Sequence, residues 1–418
     1  MLKKVTWVTN IPLRDTLAFF GKKPRGSGFW LDALRDQLVM TGLAVDVVTP
    51  TSLVSIPQRI QISDGTCYLV PLGTCSYLPY FNRKLLKGIA KALSESAPQL
   101  VDYHGTEYGY PLAHRYLRMP AIVTLQGIMH DIVPQYFGNI GACSFYVKLA
   151  AGGGVRDIFS TLWTNILYRQ RRALEREAFQ VHRHFLGRTY FDKSWASRLH
   201  GSSISYHEAH RILRPAFYQS DKWAKAREPG SRFVITRTGR FTPDKGMDTL
   251  FKAIAILSHE MGLDVQLQVI GSHLPTTGWG RSLVRLSRDI GIEDKIRYLG
   301  YMSESEIIST LLKSDVFALT SYSENSPNSL VEAMCLGLPC IASRVGGVPS
   351  IVEDGVTGLL YDAVSPQELA NKLAIIEASP SRSLRMGRDA STVIMHRNAP
   401  SYVTEQTKKA YDAAYKGI

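Results

Sequence analysis

The fold of this chain is decided by the stretch Val316-Phe-Ala-Leu-Thr320 and its continuation Ser321-Tyr-Ser-Glu-Asn-Ser-Pro-Asn-Ser-Leu-Val-Glu-Ala-Met334. The apolar first part predicts a buried parallel strand, the polar middle predicts a turn, and the last part predicts a helix ending near Gly337. A strand, a loop and a helix in this order direct the loop and the helix N-terminus at one crevice, where α/β sheets bind anionic ligands. The sequence therefore predicts a ligand site at this position.

Two glutamates lie in this stretch, Glu324 in the loop and Glu332 in the predicted first helical turn. The arrangement suits a nucleotide-sugar, with the diphosphate on the helix N-terminus and one carboxylate each for the sugar and the ribose. Two structural explanations are open beside it. Ser329 and Glu332 have the spacing of a capping box, and Glu324 has the sequence context of a solvated loop acid.

Composition places the chain among folded proteins of more than one domain. It has 418 residues, of which 45% are hydrophobic and 20% are charged, which predicts two or three domains. The five cysteines are scattered, with no C-x-x-C pair, and favour a reducing, cytoplasmic compartment. The N-terminal apolar run predicts a first strand and is too short for a signal peptide, and no window is long and apolar enough to span a bilayer.

The chain is basic, with 49 basic and 36 acidic residues and a net charge of +13. Nucleic acid is disfavoured as a partner, because no zinc-finger spacing or basic-aromatic repeat is present. Basic residues at positions 83, 84, 87 and 91 share one face of a predicted helix, with leucines and an isoleucine on the other. This pattern is typical of a solvated helix face, and a contact with an anionic membrane surface is the alternative.

Strand and helix patterns alternate twice along the chain. The strands expected in the first half are Val5–Thr9, Val45–Thr49, Tyr68–Leu72, Leu100–His104, Ile122–Leu125 and His184–Gly187, and those in the second are Phe233–Thr236, Val265–Ile270, Ile296–Leu299, Val316–Thr320, Cys340–Ser343 and Leu359–Tyr361. Apolar strands alternating with helices indicate parallel, doubly wound α/β sheets. A polar stretch over residues 211–229 predicts a linker, so the expected domains are 1–215 and 216–395, with a cleft between them. The tail, 396–418, predicts a helix that packs back on the first domain.

Two more glycine turns follow strands of the second half. Arg240 and Lys245 flank the turn in Thr238-Gly-Arg-Phe-Thr-Pro-Asp-Lys-Gly246 and are placed to converge on one anion. A surface turn with two solvated cations is the alternative. Gly346-Gly347 indicates either a close backbone approach or a tight turn. Three such turns at strand ends of one domain favour a shared ligand crevice.

Together these residues resemble the retaining glycosyltransferases of family 4, which have the GT-B fold of two facing Rossmann-like domains. The matching positions are Gly239-Arg240, Lys245-Gly246, Glu324, Glu332-Ala-Met, Gly337, Pro339, Gly346-Gly347, Gly355 and Thr357-Gly358. Ser350 departs from the family, which commonly has glutamate there. The segment from Gly187 to Trp195, with Tyr206-His-Glu208 and Leu213-Arg214 after it, resembles a subgroup associated with bacterial surface polysaccharide assembly.

The resemblance implies roles for individual residues. Arg240 and Lys245 would hold the donor diphosphate together with the amides of Ser329 and Leu330, and Glu324 would face the anomeric centre. The donor sugar and nucleotide would be contacted by the residues Asn325, Ser326, Pro327, Asn328 and Glu332.

The first half would carry the acceptor. Gly26 and Gly28 resemble the glycine-rich loop that approaches the donor phosphates. Gln126 stands where many relatives have a histidine near the transferred sugar, and glutamine cannot take a proton at neutral pH. His130 is the nearby candidate, with a plain loop histidine as the alternative. No D-x-D pair is present, so the cations and the helix dipole would replace a metal and no cofactor is expected.

These inferences predict a metal-independent, retaining transferase that moves a sugar from a UDP- or GDP-sugar to a hydroxyl acceptor. The acceptor expected from the resemblance is a glycan or a lipid-linked intermediate of cell-surface polysaccharide synthesis, handled in the cytoplasm or at the inner face of the membrane. Front-face and double-displacement routes are both open. The rivals are a nucleotide-sugar 2-epimerase of the same fold and a non-catalytic binding subunit, while a dinucleotide oxidoreductase is disfavoured because strand one lacks G-x-G-x-x-G.

Overall fold

The computed structural model describes residues 2–23, 28–73, 83–152, 155–224, 230–271 and 278–417. Its contacts divide the chain into two compact units. The N-terminal unit comprises Met1–Val133, Ile166–Arg214 and Arg397–Ile418. The C-terminal unit comprises Pro134–Asn165 and Pro215–His396. Gly26, Cys75 and residues 153 and 154 lie outside the described residues.

The division differs from the predicted boundaries in one stretch. Residues 134–165 belong to the C-terminal unit, whereas the sequence analysis assigned all of 1–215 to the first domain. Phe145 and Leu149 give the physical reason, because both are buried in the hydrophobic core of the C-terminal unit. The ring of Phe145 lies 5.3 Å from that of Trp279. The sequence pattern shows that these residues are buried, but it does not show against which sheet.

The predicted linker is structured from Pro215 onward. Pro215–Gln219 forms a short helix, and Trp223 is buried. The indole nitrogen of Trp223 donates to the backbone oxygen of Ser314 at 2.8 Å, and its backbone N–H donates to Leu336 at 2.7 Å. The linker prediction was therefore wrong for this part, which packs within the C-terminal unit.

The described strands of the N-terminal unit form one sheet of eight, in the order β3-β4-β2-β1-β5-β6-β7-β8. Their bounds are β1 Lys4–Thr9, β2 Ala44–Thr51, β3 Gln58–Ile62, β4 Gly65–Pro71, β5 Leu100–His104, β6 Ala121–Thr124, β7 His184–Gly187 and β8 Ser205–Glu208. All neighbours are parallel except the β3–β4 hairpin. The sequence analysis missed β3 and β8, because these edge strands are half exposed and lack an apolar run.

The described strands of the C-terminal unit form a fully parallel sheet of six, in the order β11-β10-β9-β12-β13-β14. Their bounds are β9 Phe233–Thr238, β10 Val265–Ile270, β11 Ile296–Gly300, β12 Val316–Leu319, β13 Cys340–Ser343 and β14 Leu359–Tyr361. The predicted strands are confirmed here to within two residues. Strands β12, β13 and β14 are buried at every position, so their apolar runs gave a clear signal.

Helices cover the faces and loops of these sheets. In chain order the described helices are α1 Arg14–Phe19, α2 Phe29–Met40, α3 Arg83–Ser96, α4 Met129–Ile132, α5 Ala142–Gly152, α6 Val155–Val181, α7 Tyr190–His200, α8 Pro215–Gln219, α9 Met247–Ala255, α10 Gly278–Asp289, α11 Glu304–Lys313, α12 Asn328–Cys335, α13 Pro366–Ala378, α14 Pro380–Arg397 and α15 Pro400–Lys416. Helix α9 continues into a π-helical turn over Ile256–Glu260.

Helix α3 has the two faces that its sequence predicts. Leu85, Ile89 and Leu93 are buried in the core of the N-terminal unit. The basic side chains of the other face are exposed, and Lys91 lies 3.9 Å from Glu95. The apolar side of this helix is therefore used in folding, and only its charged side faces solvent.

The last helix, α15, belongs to the N-terminal unit, as predicted. Tyr411 is fully buried, and its hydroxyl donates to Asp102 Oδ2 at 2.6 Å and accepts from Trp7 Nε1 at 2.9 Å. The same carboxylate accepts from Thr124 Oγ1 at 2.9 Å. Hydrogen bonds to a buried carboxylate thus fix the chain terminus to strands β1, β5 and β6.

The described cysteines are free thiols. Cys67, Cys335 and Cys340 are buried, and Cys143 is exposed. Burial raises the pKa of the Cys335 thiol to about 11. The three buried cysteine side chains therefore act as small hydrophobic groups.

Candidate functional site

The loop between β12 and α12 holds Glu324 in a half-buried position with 17% of its side chain exposed. Its Oε1 accepts from Lys245 Nζ at 2.5 Å and from Ser321 Oγ at 2.9 Å. Ser321 is fixed in turn, because its backbone oxygen accepts from Ser343 Oγ at 2.6 Å. The carboxylate is therefore held in place from two sides, and it is not a solvated loop acid.

Gly346-Gly347 passes against the backbone of this loop. The N–H of Gly347 donates to the backbone oxygen of Glu324 at 3.0 Å. Gly346 has φ +50°, and a Cβ added to it would lie 2.0 Å from the same oxygen. Of the two interpretations of this pair, the close backbone approach is therefore correct, because any side chain would displace the Glu324 loop.

Lys245 comes from the turn after β9, at the end of the short 3-10 segment Pro243–Lys245. Its ammonium lies 3.5 Å from Asp244 Oδ2 as well as 2.5 Å from Glu324. Burial by itself would lower the pKa of Lys245, but the two carboxylates outweigh it and the pKa lies above its ordinary value. Lys245 is therefore a fixed positive charge at neutral pH.

Backbone contacts join the Lys245 turn to the Glu324 loop. The N–H of Tyr322 donates to the oxygen of Asp244 at 2.7 Å, and Thr320 Oγ1 donates to the oxygen of Lys245 at 3.0 Å. Gly246 has φ +61°, and a Cβ added to it would lie 1.9 Å from the Thr320 oxygen. The glycine after the lysine thus permits the approach that forms the ion pair.

Arg237, in β9, is a site residue that the sequence analysis missed. It is 1% exposed, and it donates to the oxygen of Lys245 at 2.7 Å and to Thr320 Oγ1 at 3.3 Å. Burial lowers its pKa to about 10, against the carboxylates of Glu324 and Asp244, so it stays charged at neutral pH. The sequence did contain a signal for this residue, because Arg237 is a cation within the apolar strand β9.

Arg240 lies in the turn after β9, three residues before the segment Pro243–Lys245. Its side chain is exposed and makes no hydrogen bond or ion pair within the described part of the chain. It follows Gly239, which has φ +139°, in the same turn as Lys245. Convergence of the two cations on one anion stays a prediction.

Helix α12 begins two residues earlier than the capping-box alternative requires. Pro327 is the N-cap, no side chain caps the helix, and Asn328 is its first residue. Ser329 and Leu330 are therefore second and third, and their N–H groups precede the first intrahelical bond, from Val331 to Pro327. Asn325 is buried and Ser326 half-buried in the preceding loop.

Glu332 is the fifth residue of α12 and lies in its second turn, so its predicted place in the first turn was wrong. The capping-box interpretation of Ser329 and Glu332 was wrong for the same reason. The described chain has a true capping box at α11, where Ser303 and Glu306 exchange bonds. Glu332 is half-buried, and its ribose role stays a prediction.

The other predicted site residues belong to the N-terminal unit. Gly28 is the N-cap of α2, with φ +107°, and a Cβ there would lie 2.7 Å from Ile11. Gln126 follows β6, and its Oε1 accepts from Arg211 Nη2 at 2.6 Å. Its side chain is thus oriented by a cation, and not free to turn.

His130 is not a plain loop histidine. It lies on α4 with 3% of its side chain exposed, and its Nδ1 is 2.7 Å from Glu175 Oε2. Glu175 is fully buried and also accepts from the N–H groups of Met129 and His130 at 2.9 Å. His130 Nε2 is buried and makes no hydrogen bond within the described residues. The buried carboxylate thus fixes the orientation of the ring, and a role of His130 toward a substrate stays a prediction.

Two other expectations concern metals and membranes. The described residues contain no group of three or more His, Cys, Asp or Glu side chains able to hold a metal ion. The Nε2 of His210 lies 3.2 Å from Oε1 of Glu208. Among the helices in the described ranges, none has the length and apolar character needed to cross a bilayer.

Known proteins resemble this chain in sequence over its C-terminal part and in fold over its whole length. Residues 219–393 match the family model of glycosyl transferases group 1. D-inositol 3-phosphate glycosyltransferase from Corynebacterium glutamicum (strain R) is 32% identical over 158 residues, which are 38% of this chain and 38% of that enzyme. The chain thus spans about two fifths of the length of this curated relative.

Two solved structures show the same fold at low identity. Sucrose-phosphate synthase from Thermosynechococcus elongatus superposes with a TM-score of 0.76 at 17% identity and covers 100% of both chains. Anabaena Alr3699/HepE in complex with UDP-glucose gives a TM-score of 0.68 at 17% identity and covers 98% of this chain and 99% of that one. Residues 219–393 therefore match the glycosyl transferases group 1 family, and the chain has the GT-B fold over its whole length.

Proposed function

We propose that this protein is a retaining glycosyltransferase that moves a sugar from a UDP- or GDP-sugar to a hydroxyl acceptor. The observation that carries the proposal is the ion pair between Glu324 and Lys245. Three turns, which depend on glycines or are joined by backbone contacts, bring the two side chains together. The pair lies at the end of β12, directly before the N-terminus of α12. The UDP-glucose complex of a protein with this fold supports a nucleotide-sugar donor.

The donor diphosphate binds at the cationic side of this site. Lys245 supplies a fixed charge, Arg240 supplies a second from the same turn, and the amides of Ser329 and Leu330 donate from the helix N-terminus. The bond that breaks joins the anomeric carbon to a phosphate oxygen, so negative charge develops on the diphosphate. Groups already positioned at that charge lower the barrier without reorganising. No metal is needed in this scheme.

Glu324 acts on the sugar side of the same bond. Its Oε2 is the oxygen that the Lys245 and Ser321 contacts leave out, since both use Oε1. This oxygen hydrogen-bonds the sugar and stabilises positive charge at the anomeric carbon. The loop from Asn325 to Asn328 and the carboxylate of Glu332 contact the rest of the donor. In the N-terminal unit, Gln126 and His130 are the candidates to act on the acceptor, and Gly28 is the candidate glycine of the glycine-rich loop.

The experiment has two parts. Thermal shift with a panel of UDP- and GDP-sugars identifies the donor by the largest rise in Tm, because only the native state binds it. The chosen donor is then incubated with acceptor mixtures, and products are examined by mass spectrometry and NMR. A new α-linked or β-linked glycoside with the donor's anomeric configuration supports the proposal. Free nucleotide with an epimerised sugar in the absence of acceptor shows a 2-epimerase, and binding without turnover shows a non-catalytic subunit.

For the acceptor we propose a glycan or a lipid-linked intermediate of cell-surface polysaccharide synthesis. Support comes from the segments around Gly187 and Tyr206, which resemble a subgroup associated with that process. The curated relative acts, by its name, on D-inositol 3-phosphate, so phosphorylated polyols belong in the same acceptor screen.

We also propose that the protein works at the inner face of the cytoplasmic membrane. Phe159, Leu162 and Trp163 lie on one side of α6 with 67%, 42% and 50% of their surface exposed. Aromatic side chains on one helix face, in a protein of net charge +13, are typical of contacts with an anionic bilayer. The exposed basic face of α3 adds charge, whereas its apolar face is used in the core.

A further inference from the structure

The segment after α4 comes from the first half of the sequence but packs within the C-terminal unit. Residues 134–141, which we call the strap, connect α4 to α5 and belong to that unit, whereas Ile132 at the end of α4 belongs to the N-terminal unit. The ring of Phe137 anchors the strap, because it lies 5.3 Å from that of Phe145 and 5.6 Å from that of Tyr146. The strap is thus fixed to the unit that holds the candidate donor site.

The helices after the strap continue this attachment onto α10. Leu149 of α5 is 2% exposed, and a Cβ added to Gly278 at the start of α10 would lie 2.5 Å from it. Asp157 Oδ2 of α6 lies 2.6 Å from Arg281 Nη2 of α10. Close packing and an ion pair therefore hold the far end of this insertion, so the strap is attached on both sides of its contacts with the site.

The 3-10 segment Gly138–Ile140 of the strap packs against the turn that carries Lys245. Gly138 has φ +63°, and a Cβ added to it would lie 2.8 Å from the backbone oxygen of Pro243 and 3.0 Å from Cε2 of Tyr322. Pro243 begins the 3-10 segment that ends at Lys245. Because the nearest atom belongs to the backbone, a side chain at this position fits only if the turn moves.

Tyr322 cannot move away from the strap freely. It is 6% exposed, and its hydroxyl lies 2.6 Å from Thr249 Oγ1 and 3.3 Å from Asp248 Oδ1, both in α9. Its backbone N–H donates to the oxygen of Asp244 at 2.7 Å. The ring is therefore held at its hydroxyl end by α9 and at its backbone by the Lys245 turn. Pressure on its edge is passed to the loop that carries Glu324.

A second glycine of the strap has the same backbone conformation without the contact. Gly141 has φ +69°, it is exposed, and a Cβ added to it would have no heavy atom within 4 Å. Gly141 is thus needed for its backbone conformation alone. Gly138 is needed for its conformation and for the close approach, so the two residues separate these effects.

We propose that Gly138 is a positioning residue of the donor site. The strap holds the Lys245 turn and the Glu324 loop at the separation that forms their ion pair and presents Lys245 to the donor diphosphate. The inference deepens the proposed transferase function and rests on it for the word donor. Since the strap follows directly after α4, the helix of His130, the acceptor-side half of the sequence supplies a support of the donor site.

The first measurement needs no nucleotide. Hydrogen exchange of the full chain, read by mass spectrometry, compares the peptides that cover the Lys245 turn and the Glu324 loop in wild type, Gly138→Ala and Gly141→Ala. Gly138→Ala should raise the exchange rate in both peptides about tenfold or more, because the turn and the loop no longer close against the strap. Gly141→Ala has the same unfavourable φ, so it should also lower Tm but leave exchange in both peptides unchanged.

The second measurement titrates the same three proteins with UDP and with GDP. The nucleotide that wild type binds more tightly should bind Gly138→Ala about tenfold more weakly, because a displaced Lys245 loses its charge-assisted bond to the diphosphate. Gly141→Ala should bind like wild type. Phe137→Leu shortens the anchor of the strap without adding atoms, and it decides if Gly138→Ala does not fold. It should raise exchange in the two peptides and weaken nucleotide binding relative to Gly141→Ala.

The two measurements separate this inference from the proposed function. If wild type binds neither nucleotide, the donor proposal fails, and hydrogen exchange alone decides whether Gly138 positions the turn. Exchange that is equal in Gly138→Ala and Gly141→Ala overturns the inference. Raised exchange with unchanged nucleotide affinity also overturns it, because the contact would then serve only the fold.

Discussion

Replacing Glu324 by glutamine separates the electrostatic role of this carboxylate from its role in the fold. The variant keeps the side-chain shape and an acceptor oxygen for Lys245 and Ser321, but it removes the negative charge 2.5 Å from the ammonium. Asp244, at 3.5 Å, stays as a partial counter-charge. We therefore expect only the charge-assisted part of the bond to be lost, about 1–2 kcal/mol of the free energy of unfolding.

The assay for this part is thermal unfolding at neutral pH. For a unit of this size, the loss corresponds to a fall in Tm of about 2–8 °C. Glu324 raises the pKa of Lys245 in the folded protein. The stabilisation from this ion pair is therefore fully present below the ordinary lysine pKa of about 10.4. It is lost only as the pH rises through the higher pKa that Lys245 has in the folded state. The Tm difference at pH 7 is therefore the full one. Glu353→Gln, an exposed glutamate of the same unit, should leave Tm unchanged.

Activity and donor binding should respond in opposite ways. Loss of a preorganised charge at the reacting bond should lower kcat about 10²- to 10³-fold. UDP affinity should stay equal or rise, because Lys245 is no longer neutralised by Glu324 and can bind the diphosphate. Wild-type kcat in the variant, or a large fall in UDP affinity with kcat preserved, would refute the assigned role of Glu324.

Four further predictions concern other parts of the molecule. Arg240→Ala should weaken donor binding by about 1.5–3 kcal/mol, measured by titration with UDP, and unchanged affinity would exclude a phosphate contact. Gly346→Ala should lower the free energy of unfolding by more than about 1 kcal/mol in urea, since its φ of +50° and the loop carbonyl 2.0 Å from a Cβ both oppose a side chain. Tyr411→Phe should cost about 1–3 kcal/mol, because a buried carboxylate loses a donor; a neutral effect would show water in its place. Trp163→Ser and Lys87→Glu should each reduce sedimentation with anionic vesicles, and equal binding to anionic and neutral vesicles would end the membrane proposal.

The parallel sheets could be predicted because their central strands are buried on both faces. Cys340–Ser343 and Leu359–Tyr361 are located to the residue, since an apolar run between turns leaves little choice. The assignment of residues 134–165 to the C-terminal unit could not be predicted. The apolar residues of helix α5 indicate that it packs against a core, but its sequence does not show which sheet covers it.

The sequence marked Glu324 and Lys245 as candidates, but it did not predict the contact between them. Glu324 and Lys245 are 79 residues apart along the chain, and each was recognised from its own turn. That they form an ion pair depends on Gly246 and Gly346, whose missing side chains bring three loops together. Arg237 was not recognised as a site residue. A buried arginine needs a hydrogen-bond acceptor, but here the acceptor is the backbone oxygen of Lys245, which no sequence pattern marks.

The charges around Glu324 give the reason for the proposed role of Arg240, which makes no hydrogen bond or ion pair within the described chain. Arg237 and Lys245 are balanced by Asp244 and Glu324, so this cluster is close to neutral before a ligand binds. A donor diphosphate adds about two negative charges, and these require new cations or free N–H groups. The exposed guanidinium of Arg240 and the first turn of α12 are the groups at this site that can supply them. Donor binding should therefore draw Arg240 inward, and its contribution should weaken with salt more steeply than that of the half-buried Lys245, because screening acts mainly on exposed charge.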